Sequence, residues 1–333
     1  MPSPHKLLIL YTGGTIGMQM SENGLVPAGG FEARLRAEQQ AHPERPVPHW
    51  LFRELSPLLD SANMTQRHWL AMRTAIIEAV EEEGCDAVLL LHGTDTLAYS
   101  AAALSFLLLG LQIPVVLTGS MQPAGVAGSD AWPNLFGALA ALQGGLQPGV
   151  RVFFNGQLLH GARVSKGKSE AFDAFGEARR PRHGQRLAAL PANLDYRHPR
   201  HAVNLAVLPL YPGLQAAQLN ALLASGVQGL LLECYGSGTG PSDNPEILNA
   251  LSEAHGRGVV LAAISQCPQG HVEFGVYAAG SALARTGLVS GGGMTREAAL
   301  GKLFALLGAG LCQQECERLF ALDLCGEMAD IIP

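Results

Sequence analysis

Charge is scarce in this chain. Only 15% of its 333 residues are Asp, Glu, Lys or Arg, and the 28 acids outnumber the 22 bases for a formal net charge of −6. No basic excess is available to neutralise a phosphate backbone, so nucleic acid is not an expected partner. Long apolar runs are missing as well. The stretch 97–109 is apolar on nearly every helical face, yet it is shorter than the roughly 20 residues a bilayer requires. No membrane partner is expected, and that helix is read as buried in a core or in a subunit contact. Cysteine is limited to positions 85, 234, 267, 312, 316 and 325. Cys234 and Cys267 fall in or at the end of apolar strands, where a free thiol behaves as a small hydrophobe. Cys312 and Cys316 are four apart, but no second pair completes a zinc spacing. The segment Met1–His5 is short and polar, unlike a secretion signal. A reducing cytoplasm fits this usage.

Familiar ligand motifs are absent too. Gly161–Ser169 resembles a phosphate loop, but it has one residue too many between its glycines. Gly236-Ser237-Gly238-Thr239-Gly240 runs into Pro241 where a dinucleotide fingerprint needs glycine, and its serine is misplaced for a nucleophile elbow. No His-Glu-x-x-His occurs, and the 11 histidines are scattered. Neither a metal nor a cofactor is expected.

What the chain has is glycine, 40 residues of it, and 48% hydrophobic residues arranged in short runs. Strand-like runs at 6–11, 87–91, 114–118 and 150–155 are interleaved with helical patterns. In 66–83, Trp69, Met72, Ile76 and Val80 recur at three- and four-residue steps, with Thr65 as N-cap. Past a basic, proline-rich stretch the alternation resumes, with strands at 203–211, 226–235 and 258–266 and helices at 214–224, 245–256 and 295–308. The fold class is α/β: a larger N-terminal, mostly parallel-sheet domain over 1–180, a linker at 181–202, and a smaller C-terminal α/β domain over 203–333.

Two strands end in threonine loops. Lys6–Tyr11 runs into Thr12-Gly13-Gly14-Thr15-Ile16-Gly17, and Ala87–Leu91 runs into His92-Gly93-Thr94-Asp95-Thr96. The carboxyl ends of parallel strands are where ligands bind in open α/β sheets. Glycine beside each threonine permits a sharp turn and close approach of a small ligand. Taken singly, Thr15 and Asp95 are as well explained as helix caps, and Lys166 as a surface lysine in a charged loop. The coincidence of both loops with strand ends favours chemistry. A lysine in a closed, poorly hydrated site can act as a base.

These residues resemble the bacterial-type L-asparaginases, and within them the cytoplasmic type I branch. The carriers are Thr12–Gln19, Asp60–Thr65, Leu91–Thr96, Thr118-Gly119-Ser120, Ser129-Asp130 with Asn134-Leu135, Phe172–Phe175, Tyr277–Gly280 and Met294-Thr295. The resemblance implies hydrolysis of L-asparagine to L-aspartate and ammonia. It implies Thr15 as nucleophile, and Thr94, Lys166 and Asp95 as a second triad in which the amine activates the hydroxyl. Asp60 and Ser61 would contact the α-amino and α-carboxylate groups. Gly14 and Gly93 would line the substrate, with backbone N–H groups near Gly93-Thr94 as an oxyanion hole. It implies a homodimer or homotetramer, and a lid over 18–30. Relatives commonly carry a lid tyrosine where this chain has Leu25; Tyr277 is the substitute the resemblance offers, from across a subunit contact. Where some type I relatives have an allosteric arginine this chain has Glu233, so that pocket is expected to be lost or altered. Two alternatives stay open: a glutaminase-asparaginase of mixed specificity, and a catalytically weak amino-acid sensor on the same fold.

Overall fold

A computed structural model describes residues 3–22, 24–45, 47–177 and 184–328. The chain divides into two compact units, Met1–Glu177 and Ala178–Pro333. Of the segment expected as a linker, 181–183 lies outside the described residues, as do 329–333 at the end of the expected C-terminal domain. The rest of that segment is tied into the second unit: Leu187 N–H donates to the Asp323 carbonyl, and His201 N–H to the Gly308 carbonyl.

In the first unit the elements run β1 (Lys6–Gly13), β2 (Gln19–Ser21), β3 (Gly24–Val26), α1 (Phe31–Ala41), β4 (His49–Leu59), α2 (Gln66–Glu81), β5 (Ala87–Leu91), α3 (Leu97–Leu107), β6 (Pro114–Thr118), α4 (Ala131–Gln143), β7 (Gly149–Phe154), β8 (Gln157–His160), β9 (Val164–Lys166) and β10 (Phe175–Glu177). The main sheet has the order β4-β1-β5-β6-β7-β8. All its pairings are parallel except the β7–β8 hairpin. Its inner strands read as unbroken apolar runs because both faces are covered. Leu7, Ile9, Tyr11, Leu89 and Leu91 pack with α1 and α4 on one face, while α2 and α3 cover the other.

Helix α3 settles the question its sequence raised. Leu97 through Leu107 is buried within this unit, apart from partly buried Tyr99. The chain after β7 crosses it: an added Cβ on Gly161 would sit 2.8 Å from Ser105 Oγ. An all-round apolar helix is what a position between a sheet and a covering excursion requires. That excursion ends in β9 and delivers Lys166.

In the segment 18–30, expected as a lid and described apart from residue 23, β2 pairs with β3, with Leu25 opposite Met20 and both exposed. Tyr11 is fully buried beneath its far end, and its hydroxyl donates to the Ala28 carbonyl at 3.2 Å. Burial pushes that phenol up to about 12.

In the second unit the order is β11 (Leu205–Pro209), α5 (Ala216–Ala224), β12 (Gly229–Cys234), α6 (Pro245–Gly256), β13 (Val260–Ser265), α7 (Ala278–Ala284), β14 (Val289–Ser290), α8 (Arg296–Gly308) and α9 (Gln313–Phe320). The sheet β11-β12-β13-β14 is parallel throughout. Asn244 caps α6, accepting from Glu246 and Ile247 N–H. One expectation fails: Cys267 lies beyond β13 and is exposed rather than packed.

Lys302 anchors a buried ion pair in this unit. It is fully buried, with Nζ donating to Glu327 Oε1 at 2.6 Å and to the carbonyls of Phe320 and Leu322. Burial alone would raise the Glu327 carboxyl, but the Lys302 charge and the hydrogen bonds it accepts hold it well below the usual carboxylate range. Removing one partner strands the other charge. Lys302→Met should therefore cost about 3–5 kcal/mol of stability, read from urea unfolding. Adding Glu327→Gln should recover part of that loss. A single variant as stable as the parent would contradict this account.

Candidate active site

Strands β1 and β5 are neighbours, with Tyr11 opposite Leu91, so their C-terminal loops emerge side by side. Thr12 Oγ1 donates to the Leu91 carbonyl at 3.0 Å and joins the two strand ends. Beyond it, Gly14 takes a φ of 81° and leads into a short 3₁₀ turn, Thr15–Gly17. The loops then touch through backbone alone. A Cβ on Gly14 would lie 2.3 Å from the Gly93 nitrogen, and one on Gly93 would lie 2.5 Å from Ser61 Oγ. Gly14 cannot be replaced without moving main chain, and a side chain at Gly93 would displace Ser61.

The Asp60-Ser61 turn is tied to the same place. Gly14 N–H donates to the Leu59 carbonyl at 2.9 Å, and Thr96 Oγ1 donates to the Ser61 carbonyl at 2.8 Å. Ser61 is buried, whereas Asp60 is exposed, one oxygen accepting Ala62 N–H at 3.2 Å.

Lys166, the last residue of β9, reaches Thr94 and Asp95. Its Nζ lies 2.9 Å from Thr94 Oγ1 and 2.8 Å from Asp95 Oδ1. The lysine side chain is 18% exposed and that of Asp95 is 62% exposed. Thr94 is buried. A 2.9 Å contact between amine and hydroxyl carries a proton in either direction, and the carboxylate favours the amine when it is charged. Thus Gly14, Ser61, Gly93, Thr94, Asp95 and Lys166 are brought together, with Thr15 on the adjoining turn. Tyr277 belongs to the other unit, where it precedes α7 and is 59% exposed.

Two residues without an assigned role hold the neighbouring loop. Asp130 is buried and accepts N–H from Met121 and Gln122. Asn134 donates to the Gly119 carbonyl and to Asp130, both at 3.0 Å, and accepts Asn155 N–H at 2.8 Å. Among the described residues no three or more His, Cys, Asp or Glu are placed to hold a metal ion, and no helix is long and apolar enough to cross a membrane.

Known proteins match nearly the whole chain. Residues 6–197 match the family "Asparaginase, N-terminal", and 204–320 match "Glutaminase/Asparaginase C-terminal domain". The chain belongs to the asparaginase family. L-asparaginase 1 of Escherichia coli strain K12 is 36% identical over 97% of each chain. An L-asparaginase of Thermococcus kodakarensis is 34% identical over 97% of this chain and 99% of its own. The crystal structure of L-asparaginase I from Vibrio cholerae aligns with a TM-score of 0.83 at 33% identity, covering 99% of this chain and 100% of that one.

Within this asparaginase, Glu233 is buried and engaged. Arg296, at the start of α8, holds it through Nε at 2.5 Å and Nη2 at 2.7 Å. His92 is fully buried, and desolvation pushes its ring down to about 4 from an ordinary 6.5. An unfolded chain protonates this histidine near pH 6.5 and the folded one only near pH 4, so the unfolded state holds more protons between those limits. Stability should fall as pH drops through that window, by at most about 3 kcal/mol, and be flat above it. Urea midpoints across pH 4–7 would show the slope, and a His92→Asn variant should lack that component.

Proposed function

We propose that this chain is an amidohydrolase that converts L-asparagine and water to L-aspartate and ammonia, with Thr15 as nucleophile. The single observation that carries the reading is Lys166 Nζ in contact with both Thr94 Oγ1 and Asp95 Oδ1, on loops packed against the Thr15 turn.

Thr15 Oγ attacks the side-chain amide carbon, and the carbonyl electron pair moves onto oxygen, where backbone N–H groups stabilise it. Collapse breaks the C–N bond, and the nitrogen leaves as ammonia after taking up a proton. Water then attacks the ester, giving aspartate and restoring the Thr15 hydroxyl. Lys166 serves as the base for Thr94, whose hydroxyl relays the proton given up by Thr15 to the departing nitrogen, and Asp95 stabilises the ammonium that forms on Lys166 in passing. Asp60 offers a carboxylate to the substrate ammonium, and Ser61 a hydroxyl to its α-carboxylate. The resemblance to type I relatives supports cytoplasmic work as a homodimer or homotetramer, with the exposed Tyr277 phenol offered to a neighbouring copy.

Thr15→Ala and Lys166→Ala should each lower ammonia release from asparagine by about 10²–10⁴-fold. Either variant matching the parent would remove the assignment. Glutamine, longer by one methylene, serves as the companion substrate; such a difference is worth only about 1–3 kcal/mol in a pocket. With Glu233 committed to Arg296, the rate should rise hyperbolically with asparagine concentration. A sigmoidal curve that Glu233→Ala converts to a hyperbola would contradict the loss of the second pocket.

A further inference from the structure

Behind Gly93-Thr94 runs a buried polar chain that takes no part in the steps above. His92 Nδ1 lies 2.7 Å from the Gly93 carbonyl oxygen, and its Nε2 lies 2.8 Å from Ser100 Oγ. Ser100 is on α3, and its oxygen also accepts Trp69 Nε1–H from α2 at 3.0 Å. An indole N–H only donates, so the Ser100 oxygen receives it and directs its own proton at His92 Nε2. Nε2 is then the acceptor, and the ring proton sits on Nδ1, where it donates to the Gly93 carbonyl. Complete burial favours a neutral ring, which is the state this chain of donors requires.

The consequence is an orientation. In a planar trans peptide, C=O and the following N–H point in opposite directions. Holding the Gly93 carbonyl against the buried imidazole turns the Thr94 N–H away from the ring. Among the described residues that N–H has no protein acceptor. Gly93 itself has the Gly14 backbone and the Ser61 side chain against it.

We propose that His92 is a positioning residue: with Ser100 and Trp69 fixing its Nδ1–H tautomer, it locks the Gly93–Thr94 peptide so that the Thr94 N–H faces the oxygen of the substrate amide. This rests on the amide-hydrolysis reading above. The imidazole neither touches substrate nor exchanges a proton during turnover.

The test separates orientation from packing. An asparagine side chain at 92 can present an amide N–H where Nδ1–H lies, whereas alanine cannot. His92→Ala should lower kcat for asparagine by about 10–100-fold with KM within about threefold, since the hydrogen bond acts on the transition state. His92→Asn should recover most of kcat. A folded His92→Asn enzyme no faster than a folded His92→Ala enzyme would overturn the proposal. Two further measurements need no activity. Nitrogen–proton correlation spectra of the parent should show the Nδ1–H tautomer at His92, unchanged between pH 5.5 and 8; the Nε2–H form would sink the idea. A crystal structure of His92→Ala should show the Gly93–Thr94 peptide rotated, and an unmoved peptide would overturn the proposal as well. If the parent releases no ammonia from asparagine or glutamine, amide hydrolysis fails as a reading. The spectrum and the crystal structure then decide separately whether His92 sets the peptide.

Discussion

Two main chains meet at Gly14 and Gly93 where not even a methyl group fits, since a Cβ at Gly14 would fall 2.3 Å from the Gly93 nitrogen. Everything else in the candidate site is arranged around that approach. Parallel neighbours β1 and β5 bring the loops to the same edge of the sheet, and glycine lets them close on each other. The hydroxyls of positions 15 and 94 are thereby carried on adjoining turns, without long side chains to position them. A threonine reaches only as far as its backbone is placed, so a reaction built on two of them depends on main-chain geometry.

The apolar helix α3 connects this edge to the amine. It lies buried between the sheet and the excursion that follows β7, and β9 at the end of that excursion holds Lys166 against Thr94 and Asp95. The same helix provides Ser100 to the buried side of His92. One element therefore supports the polar centre from two directions, which explains why so few of its positions are polar. Apolar packing fixes the helix, and its two useful polar contacts follow from where it is fixed.

The inner architecture was legible in the sequence because buried parallel strands are unbroken apolar runs. The strands expected at 87–91 and 114–118 and the helix expected at 245–256 occur with those bounds. Strand β4 and helix α4 were not legible. Strand β4 is an outer strand of its sheet, carries Pro57, Arg53 and Glu54, and alternates imperfectly, so no apolar run announces it. Helix α4 hides behind Pro133 in its first turn, where proline is tolerated. Gly137 hides it further, packing where a Cβ would meet the Phe153 ring at 2.3 Å. At the site, the two threonine loops and Asp95 were readable as strand-end motifs. Lys166 looked like part of a charged loop, because a three-residue strand has no periodicity to display. Asp130 and Asn134 were visible as motif letters, but their work on backbone N–H and C=O groups is a tertiary matter. His92 was one of many scattered histidines until its burial was known.

That last residue shows why a catalytic loop needs support on its dry side. An amide oxygen that gains charge during reaction is best stabilised by donors already aimed at it, because reorienting them during the reaction would cost part of what they contribute. A backbone N–H flanked by glycine has little intrinsic preference for direction. Fixing the carbonyl of the same peptide is the most direct way to fix its N–H, since the two are rigidly coupled. A charged donor at that point would add a buried ion with no carboxylate beside it, and an exposed one would compete with water. A neutral imidazole, proton-locked by Ser100 and Trp69, supplies a directional donor while adding no net charge behind the Gly93–Thr94 peptide. The histidine that precedes the Gly-Thr-Asp run is thus better understood through the peptide it holds than through any proton it could exchange.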